Sequence, residues 1–357
     1  MTKRILIMAG GTGGHVFPAL AVAYELKHQG HEIAWVGTAT RIEAKLVPAS
    51  GYPINYISVQ GLRGNGLLGW LLAPFNLIKA VVEAIGIIRS FKPDVVLGLG
   101  GFASGPGGVA AKLMGKPLVI HEQNAIPGLT NRTLSLVANR VLEGFPNSFS
   151  QKKKSLWVGN PVRKSIEELP EPKQRFSDRS GPINVLVLGG SLGAKSLNTL
   201  LPKSFADIDT ELNIKHQCGP KHIDDCKTNY AEANVDAEIT AFIDSMADVY
   251  AWADIVICRA GALTIAEITS AGLGAILVPY PYAVDDHQTH NADGLVRAGA
   301  AMVMQESELT LEVLTQTIKQ LVASRVELLG MAEKARGLAK HGTAKQIANI
   351  CLEIAHG

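Results

Sequence analysis

Cysteine is scarce in this chain: four in 357 residues, at Cys218, Cys226, Cys258 and Cys351, with no close C-x-x-C pair. That usage fits a reduced, cytosolic compartment, as does the lack of a cleavable signal segment before the first apolar strand. No run of 18 apolar residues is free of charge, so no membrane-spanning helix is expected. The chain has no G-x-x-x-x-G-K-[ST], which argues against ATP hydrolysis of the P-loop type. "GGTGGH" (10–15) has the wrong spacing for G-x-G-x-x-G. The strand "HEIAWVG" that follows ends without the acidic residue an NAD ribose needs. Neither half has metal-ligand spacing or low complexity. Aromatic residues make up only 6% of the chain and do not interleave with the basic ones, so nucleic acid is not an expected partner.

The composition is that of a folded, oily protein, with 47% apolar and 18% charged residues and a mean hydropathy of +0.16. The net charge of +2 hides a division. Residues 1–162 hold 16 Lys/Arg against 7 Asp/Glu, whereas residues 163–357 hold 18 against 25. The first part is drawn to something anionic, and a membrane surface is the better candidate.

Two stretches share one pattern. "KRILIMAGGTGGHVFPALAVAYEL" (3–26) and "INVLVLGGSLGAKSLNTLLP" (183–202) each run from an apolar strand through a glycine-rich turn into a helical pattern. Strand-like segments at 31–37, 93–100, 116–124 and 138–145, and again at 253–261 and 274–281, alternate with helical windows. Two α/β domains with mostly parallel sheets follow, of Rossmann-like form and facing a cleft. The expected division is 1–162, 163–340 and a C-terminal helix at 341–357 that packs back toward the first domain. The proline- and charge-rich "NPVRKSIEELPEPKQRFSDRSGP" (160–182) reads as the linker.

A glycine-rich turn at a helix start offers several backbone N–H groups and the positive end of the helix dipole to an anion, commonly a phosphate. The alternative, a tight turn kept for packing, is open for any one loop. This chain has three: 10–14, "GLGGFASGPGG" (98–108) and "LGGSLGAKS" (188–196). Two in the first domain and one in the second suggest two phosphorylated ligands. The oiliest segment, 61–92, carries Leu67, Leu68, Trp70, Leu71, Leu72 and Phe75, interrupted by Gly69 and Pro74 and flanked by Arg63, Lys79, Arg89 and Lys92. An apolar wedge with basic neighbours suits a membrane interface. Burial in the first domain is the competing reading, above all for Val81, Ile85 and Ile88.

Seven strings in order, "GGTGGH", "GGFASGPG", "HEQNAIPG", "GNPVR", "GGSLGA", "CRAGALTIAE" and "DDHQTHNA", span nearly the whole chain and resemble the MurG family. The resemblance implies a two-domain glycosyltransferase of the B type, inverting; the lack of a DxD-type carboxylate pair at a strand end points to chemistry without metal, and no cofactor is expected. It would move GlcNAc from UDP-GlcNAc to the C4 hydroxyl of MurNAc in undecaprenyl-pyrophosphoryl-MurNAc-pentapeptide. It also implies a peripheral place on the cytoplasmic face of the membrane and a cell-wall synthesis complex as partner.

On the donor side the resemblance assigns Glu267 to the ribose, against the reading of Thr264 and Glu267 as an S/T-x-x-E capping box. It brings Ala262, Leu263 and Thr264 to the nucleotide, Ile243 to the uracil, and Gly190, Ser191 and Gly193 to the pyrophosphate. Arg163, near a proline at the domain junction, reads as a charge clamp on the phosphates or as a plain surface arginine, and His287, Gln288 and Asn291 are placed on the sugar hydroxyls. Thr12, Gly13, Gly14 and Asn124 are further donor contacts. Many relatives carry Gln where this chain has His287, which weakens that contact relative to Gln288.

On the acceptor side, Gly13, Gly14, Ser104 and Gly105 would share the acceptor pyrophosphate. His15 is the candidate general base, since a neutral imidazole can take the hydroxyl proton at cytosolic pH; binding of the acceptor pyrophosphate and capping of the turn are its other readings. Glu122 is the rival base, Asn124 would orient the hydroxyl, and His121 reads as structural. The competing functions are another enzyme on the same fold, a UDP-GlcNAc 2-epimerase or a glycolipid glycosyltransferase, and a non-catalytic nucleotide-sugar sensor. An epimerase has no use for the apolar-basic segment. The sensor is disfavoured by the presence of His15, Glu267 and Gln288 together.

Overall fold

The computed structural model describes residues 1–59, 66–150, 154–190 and 193–356, and for 66–72 and Val284 the backbone alone. Two compact units form: Met1–Arg163 together with Gly342–Gly357, and Lys164–His341.

The first unit is built on seven strands: β1 (Arg4–Met8), β2 (Glu32–Gly37), β3 (Ile54–Tyr56), β4 (Val95–Gly98), β5 (Leu118–Glu122), β6 (Arg140–Glu143) and β7 (Ser155–Trp157). They pair in parallel in the order β3-β2-β1-β4-β5-β6-β7. The second unit has β8 (Ile183–Leu188), β9 (Leu212–Gln217), β10 (Glu238–Thr240), β11 (Ile255–Cys258), β12 (Gly274–Leu277) and β13 (Ala301–Val303). Their order is β10-β9-β8-β11-β12-β13, again parallel. Central strands such as β4 and β11 are buried throughout, because helices cover both sheet faces and no alternation of polar residues is required.

On one face of the first sheet lies α1 (Gly13–His28), whose Val16, Ala19, Val22, Ala23 and Leu26 form its buried stripe. The C-terminal helix Thr343–His356 packs beside it through Ile347, Ala348 and Cys351. Thr343 Oγ1 donates to the Val158 carbonyl at 3.0 Å and Lys3 Nζ to the Ala355 carbonyl at 2.9 Å, fastening the helix to this unit. A short helix, α2 (Glu43–Ala49), follows β2. The other face is covered by α3 (Gly66–Phe91), α4 (Ser104–Leu113) and α5 (Leu129–Leu134).

In α3 the structure departs from expectation. Gly69 and Pro74 do not break the segment; one helix runs from Gly66 to Phe91. Proline removes one donor from the helical ladder. The stripe Ala80, Ala84 and Ile88, at most 1% exposed, compensates by docking on the sheet. Burying Ile88 alone contributes about 1.5–3 kcal/mol. Val81 and Ile85 pack partly against the same core. Phe75, Leu77, Ile78 and Val82 are exposed. No helix among the described residues is long and apolar enough to cross a membrane.

Each sheet has one place where the strand order reverses: between β1 and β4, and between β8 and β11. In open parallel sheets, ligands sit outside the carboxyl ends of the strands at such a switch point. Met8 pairs with Gly98 and Leu188 with Cys258. The glycine turns after β1 and β4 are therefore neighbours, as are the loops after β8 and β11.

Candidate active site

In the first unit the two turns touch. Gly101 has φ +82°, and a Cβ there would stand 2.1 Å from the Gly10 carbonyl oxygen. Glycine is required at that position for both reasons. α1 begins at Gly13 with Thr12 as its extended N-cap. Amides of the first helical turn have no intrahelical acceptor. The His15 and Val16 amides donate to the Thr12 carbonyl, which leaves those of Gly13 and Gly14 as the donors at the α1 start. α4 begins at Ser104, where the Ser104 and Gly105 amides hold the same first-turn positions.

His15 sits in the first turn of α1, half-buried, with Nδ1 3.4 Å from the Thr12 hydroxyl. The far edge of its ring lies against Gly100, where a Cβ would be 2.9 Å from Cδ2 and 3.0 Å from Nε2. Arg163 places its guanidinium 5.4 Å from the centre of the Phe17 ring, one turn along α1. That cation–π contact holds the cation over the same helix start.

In the second unit the helix Ala262–Ala271 starts directly after the β11 loop, with Gly261 as N-cap. Ile265 is the first to bond back, to the Gly261 carbonyl, so the amides of Ala262, Leu263 and Thr264 are the first-turn donors. Glu267 lies one turn further in, 5% exposed, and accepts from the Tyr250 hydroxyl at 3.0 Å. Ile243 lies in the loop after β10, half-buried. Gln288 Oε1 accepts from the Tyr280 amide at 2.9 Å, and His287 opens the helix His287–Ala298.

The matches to known proteins run the length of the chain. The glycosyltransferase family 28 N-terminal domain matches residues 5–143 and the family 28 C-terminal domain residues 184–349. A Nitrosococcus oceani protein named UDP-N-acetylglucosamine–N-acetylmuramyl-(pentapeptide) pyrophosphoryl-undecaprenol N-acetylglucosamine transferase is 52% identical over 100% of both chains. One of the same name from Marinobacter nauticus is 50% identical over 99% of this chain and 98% of its own. The crystal structure of Acinetobacter baumannii MurG superposes with TM-score 0.84 at 42% identity, covering 98% of this chain and 99% of that one. This chain belongs to glycosyltransferase family 28, among its MurG members. The kitacinnamycin glycosyltransferase, 16% identical with TM-score 0.73 over 99% of both chains, shares the fold. The two parallel-sheet units are those of the glycosyltransferase B class.

Several of the expected site residues have partners within their own unit. The capping-box reading fails because the helix starts at Ala262, so Thr264 is inside the first turn and Glu267 bonds to Tyr250. Glu122, buried at 3% exposure, accepts from the Asn124 amide (3.0 Å), Asn124 Nδ2 (3.1 Å), the Gly128 amide (3.1 Å) and Asn131 Nδ2 (2.9 Å). Its charge organises the loop after β5. Asn124 is tied to that carboxylate by both its backbone and its side chain.

Ser104 offers its amide only, since its hydroxyl is fully buried with its single proton between the Met8 (2.9 Å) and Gly100 (2.7 Å) carbonyls. Asn291 is also fully buried and donates to the Ala260 carbonyl at 3.2 Å, so it braces the loop before the helix Ala262–Ala271. The Gly190 amide is taken by Gln217 Oε1 (3.1 Å) and the Gly193 amide by the Gly190 carbonyl (3.0 Å). Gly193, at φ +79°, is there for close approach, because a Cβ would stand 2.2 Å from the Cys218 carbonyl oxygen. The first-turn amides of the helix Lys195–Ala206 are the donors that remain on that turn. Ser191 lies outside the described residues, and for Leu67, Leu68, Trp70, Leu71 and Leu72 the side chains do.

His121 is a core residue. It is fully buried, Nε2 bonds to the Gly159 carbonyl at 2.8 Å, and Gln123 Nε2 donates to Nδ1 at 3.1 Å. Burial pushes its pKa down to about 4.

Three bracing residues escaped the sequence reading. Glu43, fully buried, takes the Gly11 amide (2.9 Å), the Thr38 amide (3.0 Å) and the Thr38 hydroxyl (2.7 Å). Gln217 clamps Gly190 from both sides. Tyr250 orients Glu267. Each stands far from its turn in sequence, so no local pattern marks it.

Proposed function

We propose that this chain transfers GlcNAc from UDP-GlcNAc to the C4 hydroxyl of the MurNAc unit in undecaprenyl-pyrophosphoryl-MurNAc-pentapeptide. The product is the β-1,4-linked, lipid-borne disaccharide of peptidoglycan synthesis. The observation that carries the reading is the 52% identity over the full length to a transferase of that name. In support, each unit has helix N-termini at its sheet's switch point, the arrangement two separate phosphate-bearing ligands require.

In this reading the Gly13, Gly14, Ser104 and Gly105 amides hold the acceptor pyrophosphate. The first turns at Lys195 and Ala262 hold that of the donor. Charge gathers on UDP as the glycosidic bond breaks, and fixed backbone donors aimed there favour the transition state with no metal. Glu267 binds the ribose, Gln288 and His287 the sugar, and the loop at Ile243 the uracil. Arg163, held over α1, serves as the phosphate clamp. His15 removes the C4 hydroxyl proton as that oxygen attacks the anomeric carbon from the face opposite UDP, inverting the configuration.

The first unit docks on the cytoplasmic face of an anionic membrane. Exposed Phe75, Ile78 and Val82 on α3 enter the interface, and Lys79 and the basic excess of residues 1–162 lie at the headgroups. A cell-wall synthesis complex at that surface is the expected partner. The test is turnover of UDP-GlcNAc with a short-chain lipid acceptor in EDTA. We expect full activity without metal and a fall in kcat of about a hundredfold for His15→Ala. Equal kcat values remove His15 from the base role, and release of free ManNAc from UDP-GlcNAc alone makes the chain an epimerase.

A further inference from the structure

The side chain of Gln123 is 2% exposed, and its Oε1 has no hydrogen-bond partner among the described residues. A buried acceptor without a donor is uncommon, and in functional sites it marks a partner still to come. The amide is not free to flip and satisfy itself. Its Nε2 is committed to His121 Nδ1 at 3.1 Å, with His121 O at 3.4 Å, and His121 is in turn fixed by Nε2 on the Gly159 carbonyl. Oε1 is therefore held toward Gly100. The point where a Cβ of Gly100 would stand is 3.7 Å from Gln123 Oε1 and 3.0 Å from His15 Nε2. Only the missing side chain of Gly100 leaves that space between them. Of the three nearest atoms outside the Gly100 turn, namely His15 Cδ2, His15 Nε2 and Gln123 Oε1, Nε2 is the one that can act as an N–H donor to that oxygen.

We propose that Gln123 sets the tautomer of His15: in the working enzyme Oε1 accepts Nε2–H, directly or through one buried water, and Nδ1 keeps the lone pair. Nδ1 is the nitrogen on the exposed side, beside the Thr12 hydroxyl. It takes the proton of the acceptor hydroxyl as the new glycosidic bond forms and UDP leaves with the bonding pair, so His15 ends as an imidazolium with both nitrogens protonated. Gln123 touches neither substrate. It is a positioning residue, doing for this imidazole what a buried partner does for the far nitrogen of a catalytic histidine. The proposal rests on the reading of His15 as the base.

The test uses the full chain with 15N-labelled histidine. Long-range proton–nitrogen correlations at alkaline pH report which ring nitrogen is protonated, the His15 signal being identified by its loss in His15→Asn. Wild type is expected to show Nε2–H. Gln123→Leu is expected to show both tautomers in exchange, with kcat down about tenfold and the KM for UDP-GlcNAc unchanged. Gln123→Glu, which keeps an oxygen in place, restores the Nε2–H form. An Nδ1–H form in wild type, or the same nitrogen pattern in wild type and Gln123→Leu, overturns the proposal. The wild-type spectrum decides on its own if the Leu variant does not fold. An Nε2–H wild type whose His15→Ala variant remains fully active upholds Gln123's hold on the ring and sinks the base role alone.

Discussion

The phenol of Tyr250 donates a 3.0 Å hydrogen bond to Glu267 Oε2, and both groups are buried within the second unit. A hydrogen bond to a carboxylate contributes about 1.5–3 kcal/mol, and here it sets where the carboxylate points. Tyr250→Phe keeps the ring and loses the donor. We expect the Kd for UDP, measured by calorimetry, to rise about tenfold while the KM for the lipid acceptor stays put. An unchanged Kd detaches Glu267 from the nucleotide.

Gly101→Ala tests the contact between the two turns of the first unit. The added methyl meets the Gly10 carbonyl at 2.1 Å on a backbone at φ +82°, and neither neighbour is a flexible side chain. Loss of about 3 kcal/mol or more in unfolding free energy is expected, read from denaturant titration. Gly115→Ala, at φ +64° with open space around it, is the control and should cost about 1 kcal/mol.

Glu122→Gln separates an organising carboxylate from a base. Four donors converge on Glu122, and an amide side chain turns one oxygen into a mismatched donor. The variant should lose about 1–3 kcal/mol of stability. Its kcat/KM profile against pH should keep the wild-type acid limb. Disappearance of that limb in a folded Glu122→Gln protein would transfer the base role from His15.

Two histidines tie stability to pH. Burial lowers His121 to about 4 and His216 to about 3, against an ordinary 6.5. In both cases the unfolded chain binds the proton that the folded chain refuses. Stability is therefore full above pH 6.5 and falls as pH drops from there toward the folded values. The slope approaches roughly 1.4 kcal/mol per pH unit for each histidine. Urea midpoints at pH 7.5 and 5.0 should show the fall, and His216→Gln should reduce it.

For the membrane, the triple change Phe75→Ser, Ile78→Ser, Val82→Ser removes exposed apolar surface from α3 and leaves its buried stripe alone. Sedimentation with vesicles containing anionic lipid should drop at least about tenfold, with turnover of a short-chain acceptor unaffected. Equal sedimentation would place the docking surface elsewhere.

The sequence made the central architecture legible because buried parallel strands read as unbroken apolar runs. β1, β2, β4, β5, β6, β8, β11 and β12 all fall in segments that read that way. β3, β7, β10 and β13 are three residues each, too short to show a period. β9, "LNIKHQ", was hidden by its polar residues: His216 and Gln217 are buried because the Asn198 and Tyr230 side chains and the Gly190 turn take up their polar atoms. Pro74 departs from its local signal for a different reason. A proline signals a break locally, but docking of the Ala80–Ala84–Ile88 stripe outweighs one lost donor. At the site, helix starts could be read from the glycine turns. What each glycine's amide bonds to could not, because Glu43 and Gln217 arrive from elsewhere in the chain.

The helix Thr343–His356 belongs to the same folding unit as β1, although 178 residues of the other unit intervene between Arg163 and Gly342. The first unit is thus not a continuous stretch of gene. A hybrid enzyme made by joining two relatives at residue 163 would set one species' sheet against the other's closing helix, with Ile347, Ala348 and Cys351 facing an unmatched α1. Exchange of the second unit by recombination needs two crossovers, at 163 and 342, and natural shuffling within this family is expected to keep the two outer segments together.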